Sequence, residues 1–191
     1  MARAGLTADR LTRAAADLAD EVGLDKVTVS ALARSFGVKD ASLYSHVKSL
    51  ADLRTRVAVL AAREFADRLT AAVAGRAGGD ALRAFADAYR AFALEHPGRY
   101  AAYQLRLDPA VLAESPGHLR SIETTTAVLS GYGLTEPDLT DAVRLLRSTF
   151  HGWAGIEAAS GFAHPRDVDA SWRRAVDALD AVLSRWPAPA A

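Results

Sequence analysis

The chain has 191 residues, a formal net charge of zero at pH 7 and no cysteine. This length suffices for a small module and a larger domain with its own core, whereas the balanced charge predicts no general affinity for polyanions. The absence of cysteine excludes disulfides and thiolate chemistry. No segment has the continuous apolar length of a membrane span, and the N-terminus lacks the apolar core of a signal peptide. We therefore expect a cytoplasmic protein without a membrane partner.

The first predicted element is a helix that starts after Thr7 and ends at Gly23. Thr7 is a suitable N-cap, and Gly23 is a residue type that commonly stops a helix. Between them one apolar stripe recurs at helical spacing: Leu11, Ala15, Leu18 and Val22. This helix precedes the most informative segment of the chain and gives it a packing surface.

Residues 29–48 predict two short helices joined by a tight turn, which is a helix-turn-helix. Thr28 is the expected cap of the first helix, and Gly37 lies where that helix stops with positive φ. The second helix presents polar and aromatic side chains suited to a DNA groove and its phosphates: Lys39, Asp40, Ser42, Tyr44, Ser45 and His46. Two helices that meet at a glycine turn also occur in proteins that never bind nucleic acid, so the pattern alone leaves both readings open.

The order of turn, core and polar residues in this segment closely resembles the TetR family of bacterial transcription regulators. The resemblance rests on Phe36-Gly37-Val38 followed by Leu43-Tyr44-Ser45-His46-Val47. It implies a dimeric, all-helical repressor whose recognition helix enters the major groove of double-stranded operator DNA. By the same resemblance Tyr44 and His46 lie against phosphates, and Lys39, Asp40, Ser42 and Ser45 are candidates for base edges. Thr28, Ser30 and Lys48 complete the expected DNA-binding set.

Two positions depart from the family pattern. Leu50 stands where the family usually has a lysine that contacts a phosphate, and Lys48 is the nearby residue that could replace this contact. Lys39 stands where the family usually has a serine or similar cap, and Asp40 then begins the helix, where it favours the helix dipole but repels DNA locally. These departures keep an alternative open, a helical small-molecule-binding protein with a degenerate helix-turn-helix that does not bind DNA.

The chain after Gly75-Arg-Ala-Gly-Gly79 is a second helical series rich in aromatic residues. Several of these are tyrosines, whose hydroxyls need partners when buried, and such a lining is typical of ligand pockets. An ordinary core is the alternative. The predicted effector-binding residues are Tyr89, Phe92, Tyr100, Tyr103, Phe150, Trp153 and Glu157. Glu157 is either a pocket group or a surface residue at the edge of its stripe.

Residues 88–100 and 150–157 resemble a C-terminal effector domain of some TetR-type proteins, named for a Trp-His-Gly motif. Phe150 stands where that name has tryptophan, in front of His151 and Gly152. The resemblance implies an effector domain, and it names no ligand.

The last two predicted helices carry apolar stripes that favour a homodimer through a four-helix bundle. The predicted interface residues are Leu146, Val168, Trp172, Val176, Leu179 and Leu183. Packing of both stripes inside one chain is the alternative. Small residues form a second face on the first of these helices, which permits close approach of another helix: Gly152, Ala154, Gly155, Ala158 and Ala159.

An enzyme is the competing class of protein. The histidines of the C-terminal half lack the helical i, i+4 spacing of a metal site, and no Gly-x-Ser-x-Gly or Gly-rich phosphate loop occurs. We predict no catalytic residue, no metal and no cofactor.

The expected protein is all-α, with about nine helices. Residues 1–50 form the DNA-binding domain and 51–191 the effector-binding and dimerisation domain, which begins with a connecting helix at 51–75. Its function would be regulation of transcription by a small, mainly apolar effector that releases a pseudo-palindromic operator by changing the separation of two DNA-binding modules.

Overall fold

The computed structural model describes residues 6–186. In this range the chain is helical and contains no strand, so the predicted all-α class is confirmed. The α-helices are α1 Ala8–Val22, α2 Val29–Ser35, α3 Asp40–Leu43, α4 Leu50–Val73, α5 Gly78–Glu95, α6 Pro97–Tyr103, α7 Pro109–Ala113, α8 Pro116–Ser130, α9 Asp138–Ala158 and α10 Val168–Leu183. A 3-10 helix, Leu24–Lys26, follows α1. The short α7 has Asp108 as its cap and Pro109 in its first turn.

The chain divides into two compact units. Among the described residues, unit 1 comprises 6–66 and Glu95–Leu119, and unit 2 comprises Asp67–Leu94 and 120–186. The boundary at residue 50 stays a prediction about function, and this division by packing differs from it because α6 packs against α1 and therefore belongs with the N-terminal helices.

The predicted ends of α1 are present in unit 1. The Thr7 hydroxyl oxygen accepts a hydrogen bond from the backbone N–H of Arg10 at 3.2 Å, which satisfies one of the free donors of the first turn. Gly23 ends the helix with a φ of 91°, a conformation that side-chain-bearing residues rarely adopt.

The approach of α6 to α1 requires glycine at position 98. A Cβ on Gly98 would fall on the backbone carbonyl group of Ala19, so the two helix backbones are in direct contact there. Arg99 links α6 to α1 beside this contact, because its guanidinium donates hydrogen bonds to the carboxylates of Asp20 and, at 2.6 Å, Asp17. Its backbone N–H also donates to Asp20 at 2.8 Å. Burial opposes the charged form of Arg99, but its carboxylate partners outweigh this and raise its pKa.

The core of unit 2 is built from aromatic side chains of α5, α9 and α10. Phe150 is fully buried and lies 5.4 Å from the ring of Tyr89 and 5.6 Å from that of Trp172, measured between centroids. The indole N–H of Trp172 donates to Asp87 at 2.7 Å, which satisfies the one polar atom of this large buried ring.

The stripe predicted as a dimer interface belongs to this core. Its members Leu146, Trp172, Val176, Leu179 and Leu183 are all less than 10% exposed within the single chain, and Val168 is half-buried. The chain's own helices already cover these side chains, so they cannot also form the centre of a contact with a second copy. For these five buried residues the prediction of an interface is corrected, because they pack inside one chain, and for Val168 it stays a prediction.

A different face of α9 and α10 is exposed. Ile156 on α9 is 47% exposed and Val182 on α10 is 45% exposed. Gly152 and Gly155 belong to the same part of α9, and a Cβ at either position would meet no atom within 4 Å. Among the described residues, no helix is long and apolar enough to cross a membrane.

Candidate functional site

The turn between α2 and α3 is a Schellman motif. The N–H of Gly37 donates to the carbonyl of Arg34 at 3.1 Å, and the N–H of Val38 donates to that of Ala33 at 3.0 Å. Gly37 has a φ of 65°, which the motif requires at this position and which glycine adopts without strain. Thr28 caps the start of α2 by accepting from the N–H of Ala31 at 3.1 Å. The predicted helix-turn-helix is thus present, with both predicted signals in place.

The motif rests on buried apolar side chains and turns a polar face to solvent. Leu32, Ala33, Leu43 and Val47 are each 3% exposed or less and join the core beneath α1 and α4. Tyr44 is 54% exposed. The other predicted contact residues are exposed except His46, which is half-buried: Thr28, Ser30, Lys39, Asp40, Ser42, Ser45 and Lys48.

Four of the nine predicted DNA-binding side chains are engaged in local hydrogen bonds. Thr28 caps α2, Ser30 donates its hydroxyl to the carboxylate of Asp40, and Ser45 donates to the carbonyl of Ser42 at 2.7 Å. The hydrogen bond from Ser30 thus satisfies one oxygen of the Asp40 carboxylate at the start of α3. The side chains of the remaining five form no hydrogen bond or close ion pair among the described residues, although Lys48 interacts electrostatically with Asp52, and they are open to a ligand: Lys39, Ser42, Tyr44, His46 and Lys48.

A capping box that was not predicted from the sequence fixes the backbone at Lys48. The Ser49 hydroxyl accepts from the N–H of Asp52 at 3.0 Å, and the carboxylate of Asp52 accepts from the N–H of Lys48 at 2.9 Å. Partial burial opposes ionisation of Asp52, but the hydrogen bonds from Lys48 and Arg56 outweigh it and lower its pKa. The Ser-x-x-Asp spacing at the start of α4 is the signal that could have revealed this cap.

The predicted effector-binding residues divide between the two units. Tyr100 and Tyr103 belong to unit 1, where the centroid of the Tyr103 ring lies 4.7 Å from that of Phe65 and 5.3 Å from that of His118, which stacks on it. Burial lowers the pKa of His118, whose Nδ1 lies 2.8 Å from the hydroxyl of Ser115. Unit 2 holds the other predicted residues: Tyr89, Phe92, Phe150, Trp153 and Glu157.

In unit 2 the predicted residues have unequal access to a ligand. Tyr89, Phe92 and Phe150 are at most 5% exposed, whereas Trp153 is half-buried. Glu157 accepts from the guanidinium of Arg90 through both oxygens, at 2.7 and 2.5 Å. This bidentate pair raises the pKa of Arg90 and occupies the carboxylate that was predicted as a possible pocket group. Among the described residues, no group of three or more histidine and acidic side chains could hold a metal ion.

The module formed by the capped helices, the Schellman turn and the exposed polar face is that of a helix-turn-helix transcription regulator. Residues 11–57 match the family model described as bacterial regulatory proteins, tetR family, and residues 82–179 match the tetracyclin repressor-like C-terminal domain. The chain belongs to the TetR family, whose members are transcription regulators and generally not enzymes. The resemblance to a Trp-His-Gly effector domain stays a prediction.

Relatives agree with this assignment. The chain is 36% identical over 186 residues to an uncharacterised HTH-type transcriptional regulator of Mycobacterium tuberculosis, Rv0681, with 95% of this chain and 84% of the relative covered. A Rhodococcus sp. RHA1 protein of unknown function has the same fold, with a TM-score of 0.78, 23% identity and coverage of 94% and 96% of the two chains. Streptomyces coelicolor ActR, solved in complex with (S)-DNPA, has a TM-score of 0.69, 18% identity and coverage of 95% and 98%.

Proposed function

We propose that this protein is a cytoplasmic, dimeric transcriptional repressor that binds a pseudo-palindromic operator and is released from it by a small, mainly apolar effector. The observation that carries the proposal is the exposed polar face of α2 and α3 over a buried apolar base. A helix presented in this way on a rigid module suits the major groove, and a dimer would read two half-sites.

The hydrogen bonds of this face suggest separate roles for its free side chains. Lys48 is exposed, forms no ion pair among the described residues, and has its backbone fixed by the Ser49–Asp52 cap. It is therefore the candidate phosphate contact that replaces the one missing at Leu50. The hydroxyl of Ser42 has no partner among the described residues, which suits a contact with a base edge.

We propose that the dimer forms through the exposed face of α9 and α10. Ile156 and Val182 supply apolar area there, and Gly152 and Gly155 allow a second helix to approach closely. This face includes part of the small-residue surface noted in the sequence, and it is distinct from the buried stripe around Trp172. A helix pair from each copy would then form the four-helix bundle.

The effector is proposed to act by differential binding. A ligand that binds better to the state that does not bind DNA lowers operator affinity, and operator DNA lowers ligand affinity by the same factor. The support is the C-terminal domain match and the likeness in fold to ActR, whose structure contains (S)-DNPA.

Operator binding is tested by fluorescence anisotropy with genomic fragments and with random DNA of the same length. We expect Lys48→Ala to weaken binding to both kinds of DNA and to lower the salt slope by about one unit, since one phosphate contact is lost. Ser42→Ala should change the preference between fragments more than the general affinity. Lys26→Ala, on the 3-10 helix outside the polar face, is the matched control.

An unchanged affinity and slope for Lys48→Ala would contradict its role as the replacement contact. If no genomic fragment binds better than random DNA, the alternative of a small-molecule-binding protein with a degenerate motif is favoured instead.

Dimerisation is tested by sedimentation of the double variant Ile156→Asp and Val182→Asp. Two carboxylates in a buried interface are strongly unfavourable, so we expect a monomer with lower operator affinity. Leu105→Asp, which adds a charge at an exposed apolar position of unit 1, should stay dimeric. A double variant that remains dimeric would place the interface elsewhere.

A further inference from the structure

A cavity of about 210 Å³ lies in unit 2 at the connection between α9 and α10. Its residues come from the end of α9, the connecting loop and the first turn of α10. They are Trp153, Phe162, His164, Arg166, Val168 and Ser171. Only Trp153 was among the predicted effector-binding residues, and none of the loop residues was.

The apolar part of the cavity is aromatic. The rings of Trp153 and Phe162 lie 4.9 Å apart between centroids at an angle of 47°. Trp172 supports Trp153 from the core at 5.3 Å, and Val168 adds an aliphatic wall. Tilted aromatic walls of this kind favour a flat, unsaturated ring as ligand, since ring pairs prefer tilted or offset arrangements.

The polar groups of the cavity are hydrogen-bond donors. The indole N–H of Trp153 is buried without an acceptor and exposes no surface to the cavity, so the donors open to a ligand come from the connecting loop and α10. The Nδ1 atom of His164 accepts from the backbone N–H of Arg166 at 3.1 Å, so the proton of the neutral ring is on Nε2, which can only donate. The Ser171 hydroxyl already donates to the carbonyl of Asp167 at 3.0 Å.

Arg166 supplies the charge. Its Nε donates to the Ser171 hydroxyl oxygen at 3.1 Å, which fixes the side chain and leaves the terminal nitrogens for another acceptor. Among the described residues it has no carboxylate partner. The two neighbouring carboxylates are engaged elsewhere, because Asp167 caps α10 through the N–H of Ala170 at 2.6 Å and Asp169 pairs with Arg90 at 2.7 Å.

We infer that this cavity binds a monocyclic aromatic carboxylate, with the ring between Trp153 and Phe162 and the carboxylate on Arg166. A cavity of about 150 Å³ is known to hold benzene, so the larger volume here admits a ring with one carboxylate. Guanidinium groups bind carboxylates through paired, charge-assisted hydrogen bonds. This inference deepens the proposed function, on which it rests, by naming the chemical class of the effector.

The inference is tested with sodium benzoate by isothermal titration of the full chain in the absence of DNA. We expect saturable binding that Arg166→Gln weakens by about ten- to a hundredfold, since a charged hydrogen-bonded pair is lost. Trp153→Leu removes one of the two aromatic walls, and it should weaken binding by about two- to tenfold. Arg174→Gln, an exposed arginine of α10 that does not line the cavity, is the matched control and should bind as the unmodified chain does.

Two other ligands separate the charge from the ring. Benzamide keeps the ring without the charge, and acetate keeps the charge without the ring, and both should bind much more weakly than benzoate. The inference is overturned if benzoate does not bind, if benzamide binds equally well, or if Arg174→Gln weakens binding as much as Arg166→Gln.

The failure of this inference is distinguishable from failure of the proposed function. If benzoate does not bind but genomic fragments do, the repressor proposal stands without this effector class. In another outcome, benzoate binds without changing the affinity of the protein for the genomic fragments that it recognises. In that case the cavity is a ligand site, and the inference that its ligand is the effector is wrong.

Discussion

Unit 1 and unit 2 both contain clustered aromatic side chains, but the helices around the two clusters are held together differently. In unit 1, Tyr103 contacts Phe65 and His118 beside helices whose backbones touch at glycines. In unit 2, the buried rings of Phe150 and Trp172 fill the space between the helices. The lesson is that a similar aromatic pattern in sequence can belong to two kinds of packing with opposite sensitivities to mutation.

Close backbone approach recurs in unit 1. A Cβ on Gly98 would fall on the carbonyl of Ala19, and one on Gly117 would fall against the backbone of Ala62 and Arg63. Neither obstacle is a flexible side chain, so neither can move aside cheaply. We therefore expect added atoms at these glycines of unit 1 to lower the free energy of unfolding. In the centre of unit 2 we expect the removal of atoms to lower it.

The largest effect is expected for removal of a ring from unit 2. Phe150→Ala deletes a side chain that is 0% exposed and leaves a cavity among Phe85, Tyr89 and Trp172. We expect a loss of about 3–5 kcal/mol in the free energy of unfolding, measured by chemical denaturation. Phe162→Ala, at the edge of the same unit and half-buried, is the control and should cost clearly less. Equal losses for the two variants would contradict a closed centre at Phe150.

The next effect tests the glycine contact of unit 1. Gly98→Ala adds one methyl group against a backbone and should lower the free energy of unfolding by about 1–3 kcal/mol, because α1 and α6 must separate. The same substitution at Gly131, where the nearest atom would be 3.4 Å away, is the control in unit 2. A Gly98→Ala variant as stable as Gly131→Ala would show that α6 can shift without loss.

Local features of the fold could be predicted from sequence, because each depends on residues close together in the chain. The caps at Thr7 and Thr28 and the positive φ at Gly23 and Gly37 all follow from one residue type at one position. The helix-turn-helix itself is a sum of such local signals, and its exposed polar face follows from the same register.

The packing partners of each helix could not be predicted in this way. Helical periodicity shows that the stripe through Trp172 is apolar, but it does not show whether the same chain or a second one covers it. On α8 hydrophobicity alone would even mislead, because Ser121 and Thr124 are buried while Ile122 is 62% exposed. Thr124 is satisfied there by a hydrogen bond of 3.1 Å with Thr70, a long-range partner that no local pattern reveals.

The smallest effect is a pH dependence that unit 1 should show through His118. Burial holds the pKa of His118 below its ordinary value of 6.5, so at pH values just below 6.5 the unfolded chain binds more protons than the folded chain. Stability contributed by the neutral ring is thus present above this pH and is lost as the pH falls.

We therefore expect the free energy of unfolding to decrease from pH 7 to pH 5, and to decrease less in His118→Gln, which has no titrating ring in this place. Ile122→Gln, at an exposed position without a titrating group, is the control and should keep the pH dependence of the unmodified chain. The measurement is a series of denaturation curves at fixed ionic strength. A His118→Gln variant with an unchanged pH dependence would mean that burial does not lower the pKa of His118, and that its ring is open to water in the folded chain.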